Sequence, residues 1–91
     1  MAFMLTRAQV GDYDSWKSMF DADPPGARQS ATGYRVFRSA DDPGEVFIAV
    51  EFASREDAEE GRERLVQSGV LERFPDRSGP TVAELVDATS A

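Results

Sequence analysis

The chain contains no cysteine and no histidine. The first absence removes disulfides. The two together remove zinc-finger ligation, haem held by an axial His or Cys, cysteine nucleophiles and His-based acid/base triads. A carboxylate-ligated Mg²⁺ or Ca²⁺ site is the metal chemistry that remains, and no run has the spacing of a calcium loop, so neither a metal nor a cofactor is expected. Positive charge is scarce as well: ten basic residues stand against seventeen acidic ones, for a net charge of -7. That balance repels a phosphate backbone and an anionic membrane leaflet alike, so no nucleic-acid or membrane partner is expected. No run of about 18 apolar residues occurs, and Met1 to Val10 lacks a basic stretch followed by an apolar one. A cytoplasmic location is the expectation. No G-x-G-x-x-G or Walker sequence is present to cradle phosphates.

What is present is the composition of an ordinary globular protein, 41% hydrophobic in 91 residues. So short a chain encloses one apolar core, and residues 1-91 are read as a single domain. A domain of this size buries only about 60 to 65% of its unfolded surface, and disulfides and metals are already excluded. Self-association is the remaining source of burial.

Ala2 to Val10 is apolar on both alternating sets, with Thr6, Arg7 and Gln9 as polar exceptions, as in a strand covered on both faces. Asp12 is a good N-cap for a helix from Tyr13, in which Tyr13, Trp16 and Phe20 recur at i, i+3 and i+7. Asp23-Pro24-Pro25-Gly26 interrupts that helix, and a short helical piece is expected over Ala27 to Ala31, ending at Gly33. Tyr34 to Ser39 and Glu45 to Phe52 read as strands joined through Asp41-Asp42-Pro43-Gly44. A register with Arg38 opposite Phe47 places Val36 opposite Ala49 and Tyr34 opposite Glu51 on one face. The other face then carries Phe37, Val46, Ile48, Val50 and Phe52. Ser54 and Asp57 form a capping-box pattern for a helix lined by Ala58, Gly61, Leu65 and Val66 and ended by Gly69. Val70 to Phe74 suggests one more turn, Pro75 to Pro80 a loop, Thr81 to Asp87 a closing strand, and 88-91 a loose tail.

Two split β-α-β halves joined by a hairpin predict an α+β fold of ferredoxin-like type. The order is β-α-β-β-α-β, with a four-stranded antiparallel sheet and both helices on one face. The second face carries Val36, Phe47, Ala49 and one set from the first strand, so a homodimer packed sheet against sheet is expected.

The runs VGDYDSWKSMFD (Val10 to Asp21), GYRVFRSADDPGEVFIAVEF (Gly33 to Phe52) and SREDAEEGRERL (Ser54 to Leu65) resemble the dimeric α/β-barrel superfamily. Its members include the antibiotic-biosynthesis monooxygenases and small proteins labelled cyclases. The resemblance spans nearly the whole chain. It implies that two sheets form one barrel and that the space between them is the pocket. It also implies a cofactor-independent monooxygenase or cyclase acting on an aromatic or polyketide-type molecule. Many relatives carry a histidine on the first strand or in a helix, and this chain has none, which sets haem degradation and His-based chemistry aside.

On the register above, Tyr34, Arg38 and Glu51 point into the inter-sheet space, with Arg7 beside them. Glu51 is the candidate base and Tyr34 the candidate hydrogen-bond donor to a developing enolate or phenolate, with Arg7, Arg38 and Trp16 as candidate substrate contacts. An ion-pair network among Arg7, Arg38 and Glu51, with Tyr34 as an interface aromatic, accounts for the same residues without chemistry. The helical spacing of Trp16 is that of a core residue. Two functions therefore follow: a small enzyme acting on an apolar small-molecule ligand, or a non-catalytic dimeric module that binds a ligand or a protein.

Overall fold

Alternating apolar residues over Ala2–Gln9 (β1) and Glu45–Phe52 (β3) build the two central strands of an antiparallel four-stranded sheet. Ala31–Arg38 (β2) and Arg77–Glu84 (β4) form its edges, in the order β2-β3-β1-β4. The helices Tyr13–Ala22 (α1) and Arg55–Gln67 (α2) cover one face, and a 3₁₀ turn at Val70–Arg73 follows α2. The ferredoxin-like order expected from the sequence is the order observed. The computed structural model describes residues 1–24 and 26–89, so Pro25 and the end of the expected tail, Ser90 and Ala91, lie outside the described residues.

Local chemistry fixes the helix ends. The Asp12 carboxylate accepts from the Ser15 hydroxyl and backbone N–H, which holds its pKa below the usual carboxylate range. Ser54 caps α2 by accepting from the Asp57 backbone N–H. At the end of α1, Asp23 takes a left-handed conformation with φ of 45°, and its carboxylate accepts from the backbone N–H groups of Ala27 and Arg28. That turn replaces the helical piece expected over Ala27 to Ala31. The chain enters β2 at Ala31 instead, pairing it with Phe52.

The β2–β3 register differs by one residue from the expected one. Arg38 lies opposite Val46, Phe37 opposite Phe47, and Tyr34 opposite Val50. The turn explains the shift. The Ser39 hydroxyl accepts from the backbone of Asp41 and Asp42, and the Ser39 N–H donates to the Glu45 carbonyl, so Ala40 joins the turn and every side chain of β2 changes face. β4 likewise begins earlier than expected, at Arg77, because a bulge at Gly79 and Pro80 lets the strand pass a proline without losing its pairing with β1.

The two helices stand at different heights above the sheet. The buried face of α2 is Ala58 and Gly61, small enough for the helix to lie close against β1, β3 and β4. The buried residue of α1 is Trp16, with Phe20 beside it, and α1 is held further out. The core accordingly forms two clusters, one around Met4, Val50, Phe52 and Ala58 and one around Ala8, Trp16 and Val46. On an exposed helix Gly→Ala stabilises by about 1 kcal/mol. At Gly61 the sign should invert, because an added Cβ would lie 2.6 Å from the Ala27 carbonyl oxygen and 3.1 Å from the Phe52 ring. Gly61→Ala is expected to cost about 1–3 kcal/mol in urea unfolding. A neutral or stabilising change would show that the helix is not seated this closely.

Candidate functional site

The gap beneath α1 is a cavity of about 80 Å³ at the seam between the two core clusters. β1 and β3 form its floor through Met4, Thr6, Ala8, Ile48 and Val50. α1 supplies Trp16, Met19 and Phe20, while Leu65, Leu71 and Phe74 close it from α2 and the turn that follows. Nearly all of the wall is apolar. The polar side chains are Thr6 on the floor and Asp23 and Arg28, from the connection between α1 and β2.

Arg28 is tightly placed. Its guanidinium lies 3.8 Å from the centre of the Phe20 ring and 5.0 Å from that of Tyr34, donates to the Phe20 carbonyl at the end of α1, and stands 3.9 Å from the Asp23 carboxylate. A cation at a helix C-terminus meets the negative end of the dipole and shares the Phe20 carbonyl with the Asp23 backbone N–H, and stacking on an aromatic face adds to this. The rings form a continuous row, with centroids 5.8 Å apart for Tyr13 and Trp16, 5.0 Å for Trp16 and Phe20, and 5.2 Å for Phe20 and Tyr34. Trp16 and Phe20, the middle of this row, line the cavity.

The residues expected to share one pocket are divided between the two faces of the sheet. Tyr34 and Arg38 lie on the helix-covered side, Tyr34 edge-on to Phe20 and Arg38 over the Tyr13 ring at 5.2 Å. Arg7 and Glu51 lie on the open side, because Arg7 pairs with Phe47 and Phe3 with Glu51. The one-residue register shift is the cause: it moves Tyr34 and Arg38 off the face that carries Glu51. Arg7 is held at 2.7 Å by Glu45 and at 2.7 Å by Asp76, and these hydrogen bonds, the one to Asp76 first, raise its pKa above the ordinary guanidinium value. The Glu51 carboxylate accepts from the Thr32 hydroxyl at 2.7 Å. Trp16 alone of the five candidates lines the cavity. Periodicity marked it correctly as a buried helix residue; burial and a place in the cavity wall are here the same position.

Sequence reasoning missed Arg28, Asp23 and the residues that close the cavity after α2. Arg28 sits in a connection with no periodicity, so nothing in the pattern points to it. Thr6 did carry a signal: it is the polar member of the set Ala2, Met4, Thr6, Ala8 that faces the helices. The opposite face has a separate, larger and more open hollow of about 510 Å³ among Leu5, Phe37, Phe47 and Ala49, with Leu5 42%, Phe47 43% and Phe37 55% exposed. Among the described residues, no group of three or more acidic side chains could hold a metal ion, and no helix is long and apolar enough to cross a membrane.

No protein-family model matches the chain, and no curated protein matches it. Its three-dimensional structure is similar to several solved ones. A putative antibiotic biosynthesis monooxygenase from Deinococcus radiodurans superposes with a TM-score of 0.69 at 13% identity, over 100% of this chain and 98% of the other. Rv0793 from Mycobacterium tuberculosis gives 0.63 at 21% identity, over 98% of each chain. A further putative antibiotic biosynthesis monooxygenase, from Nitrosomonas europaea, gives 0.58 at 21% identity, over 96% of this chain and 100% of the other. At these identities the likeness is one of fold: from end to end, this chain has the fold of those proteins.

Proposed function

We propose that the chain binds a small, largely apolar aromatic molecule in the cavity beneath α1 and oxidises it without a cofactor, as a homodimer packed through the open sheet faces. The observation that carries the binding site is the cavity itself, an almost wholly apolar space walled by Trp16 and Phe20 with few polar groups. The names of the fold neighbours favour oxygenation. Size separates oxygenation from cyclisation. Ligand pockets generally span about 300–1,000 Å³, and 80 Å³ is too little to hold and fold a long polyketone. It suits a single ring, for which the flexible side chains of Met4 and Met19 can repack.

A fitting substrate carries an acidic methylene beside an aromatic ring. In its enolate form the substrate supplies the electrons; the methylene loses two hydrogens, one atom of O₂ becomes a carbonyl oxygen and the other leaves as water. The protein contributes exclusion of bulk water, a fixed ring orientation against Trp16, and the Arg28 charge near the enolate oxygen. Tyr34 acts through the rim, by holding Phe20 and Arg28. A purely binding role is the second reading. It is favoured by the engagement of Arg7 and Glu51 in ion-pair and hydrogen-bond contacts on the face away from the cavity. Titration of the purified protein with ring compounds up to anthrone size, under air with an oxygen electrode, separates the two. Saturable uptake of one O₂ per carbonyl formed is expected, saturable binding without uptake favours the binding role, and no binding contradicts both.

The open face supports the dimer reading. Phe37 and Phe47 are paired across β2 and β3, and Leu5 and Ala49 across β1 and β3, giving one apolar patch without a helix over it. A two-fold axis would set such a patch against its own copy. Phe47 is exposed in the single chain, so Phe47→Glu should leave the fold intact while introducing like charges at the interface. Sedimentation at micromolar concentration is expected to give a dimer for the parent chain and a monomer for the variant. A monomeric parent chain would overturn the dimer.

A further inference from the structure

The floor of the cavity has a hydroxyl where the surroundings call for a methyl group. Thr6 is half-buried between Met4 and Ala8 on β1 and opposite Ile48 on β3, on the face that the helices cover. None of the hydrogen bonds among the described residues involves its hydroxyl. No side-chain oxygen there is both sealed and unpartnered, so the Thr6 hydroxyl keeps open space beside it, and on this face that space is the cavity. Valine has the same shape without the desolvation cost of an unpaired hydroxyl. Fold stability alone gives no reason for threonine at this position.

The backbone at the same place is irregular. β1 pairs Leu5 with Thr81 and Arg7 with Ser78, so the single residue Thr6 faces two residues of β4, Gly79 and Pro80. Gly79 has φ of 90°, and a Cβ there would lie 2.5 Å from the Leu5 carbonyl oxygen, so the bulge depends on glycine. Bulges bend a strand and re-aim side chains, and they are frequent beside active sites.

We infer that the Thr6 hydroxyl is the specificity-determining contact of the cavity, hydrogen-bonding a hydroxyl or carbonyl oxygen on the inner end of a small aromatic ligand. The cavity then selects an oxygenated ring over a hydrocarbon of the same shape. This rests on the reading of the cavity as a ligand site. The geometry gives the ligand two ends, an inner oxygen at Thr6 and an outer end toward Arg28.

Phenol and toluene differ as threonine and valine do, by hydroxyl against methyl, and serve as probes. Trp16 is the chain's single tryptophan and lies in the cavity wall, so its emission, excited where neither compound absorbs, reports occupancy, with calorimetry as a check. Thr6→Val is expected to weaken phenol binding about 3- to 10-fold, the loss of one neutral hydrogen bond. Toluene binding should stay within about two-fold, Thr6→Ser should keep the preference for phenol, and the melting temperature of Thr6→Val should not fall. If Thr6→Val changes both affinities by the same factor, the Thr6 contact is overturned and the ligand site stands. If the parent chain binds neither compound, both are overturned. Should Thr6→Val fail to fold, Thr6→Ser and Thr6→Ala decide: the ratio of phenol to toluene affinity is expected to survive in the first and collapse in the second, and equal ratios overturn the contact.

Discussion

The difference in size between the residues beneath the two helices governs the rest of the structure. Ala58 and Gly61 let α2 lie close on the sheet, whereas Trp16 and Phe20 prop α1 away from it. Two helices at unequal heights on one sheet leave a gap between the core clusters. Closing that gap would need larger side chains at Thr6 and Ala8, and both are small. Interiors pack to the density of organic crystals, so an unfilled apolar space in so small a core gives up dispersion contacts that a more stable sequence would keep. A bound ligand returns those contacts, which is the physical case for reading the gap as a site.

The two faces of the sheet differ in character. The helix-covered face carries the cavity, walled in part by Trp16 and Phe20, with Arg28 at the end of α1. The open face carries Leu5, Phe37, Phe47 and Ala49 together with Arg7, whose charge is engaged by Glu45 and Asp76. This apolar area is the basis of the proposed dimer: a chain this short, with no cysteine for a disulfide, gains buried surface by association. The proposed dimer face and the proposed ligand site thus lie on opposite sides of one four-stranded sheet.

The element order, both N-caps and the strand Glu45–Phe52 were legible in the sequence, because apolar alternation and short-range capping chemistry are local. The β2 register was not. It depends on whether Ala40 belongs to the turn, which the Ser39 hydroxyl decides by its hydrogen bonds to Asp41 and Asp42. That single residue decided which face Tyr34 and Arg38 occupy, and so which residues share a pocket. Arg28 was illegible for a different reason: its role arises from Asp23 turning the chain back so that the guanidinium reaches Phe20. Thr6 could be read as an exception to an apolar set, but the meaning of the exception required the cavity above it.

The proposed ligand site lies beneath α1 and not between two sheets. Amide-resolved NMR during titration with a small aromatic compound tests it most directly. Saturable shifts concentrated at Thr6, Ala8, Trp16, Leu65 and Leu71, with Leu5, Phe37 and Phe47 unmoved, are the expected result. Shifts confined to Leu5, Phe37, Phe47 and Ala49 would place the ligand on the open face and contradict the account.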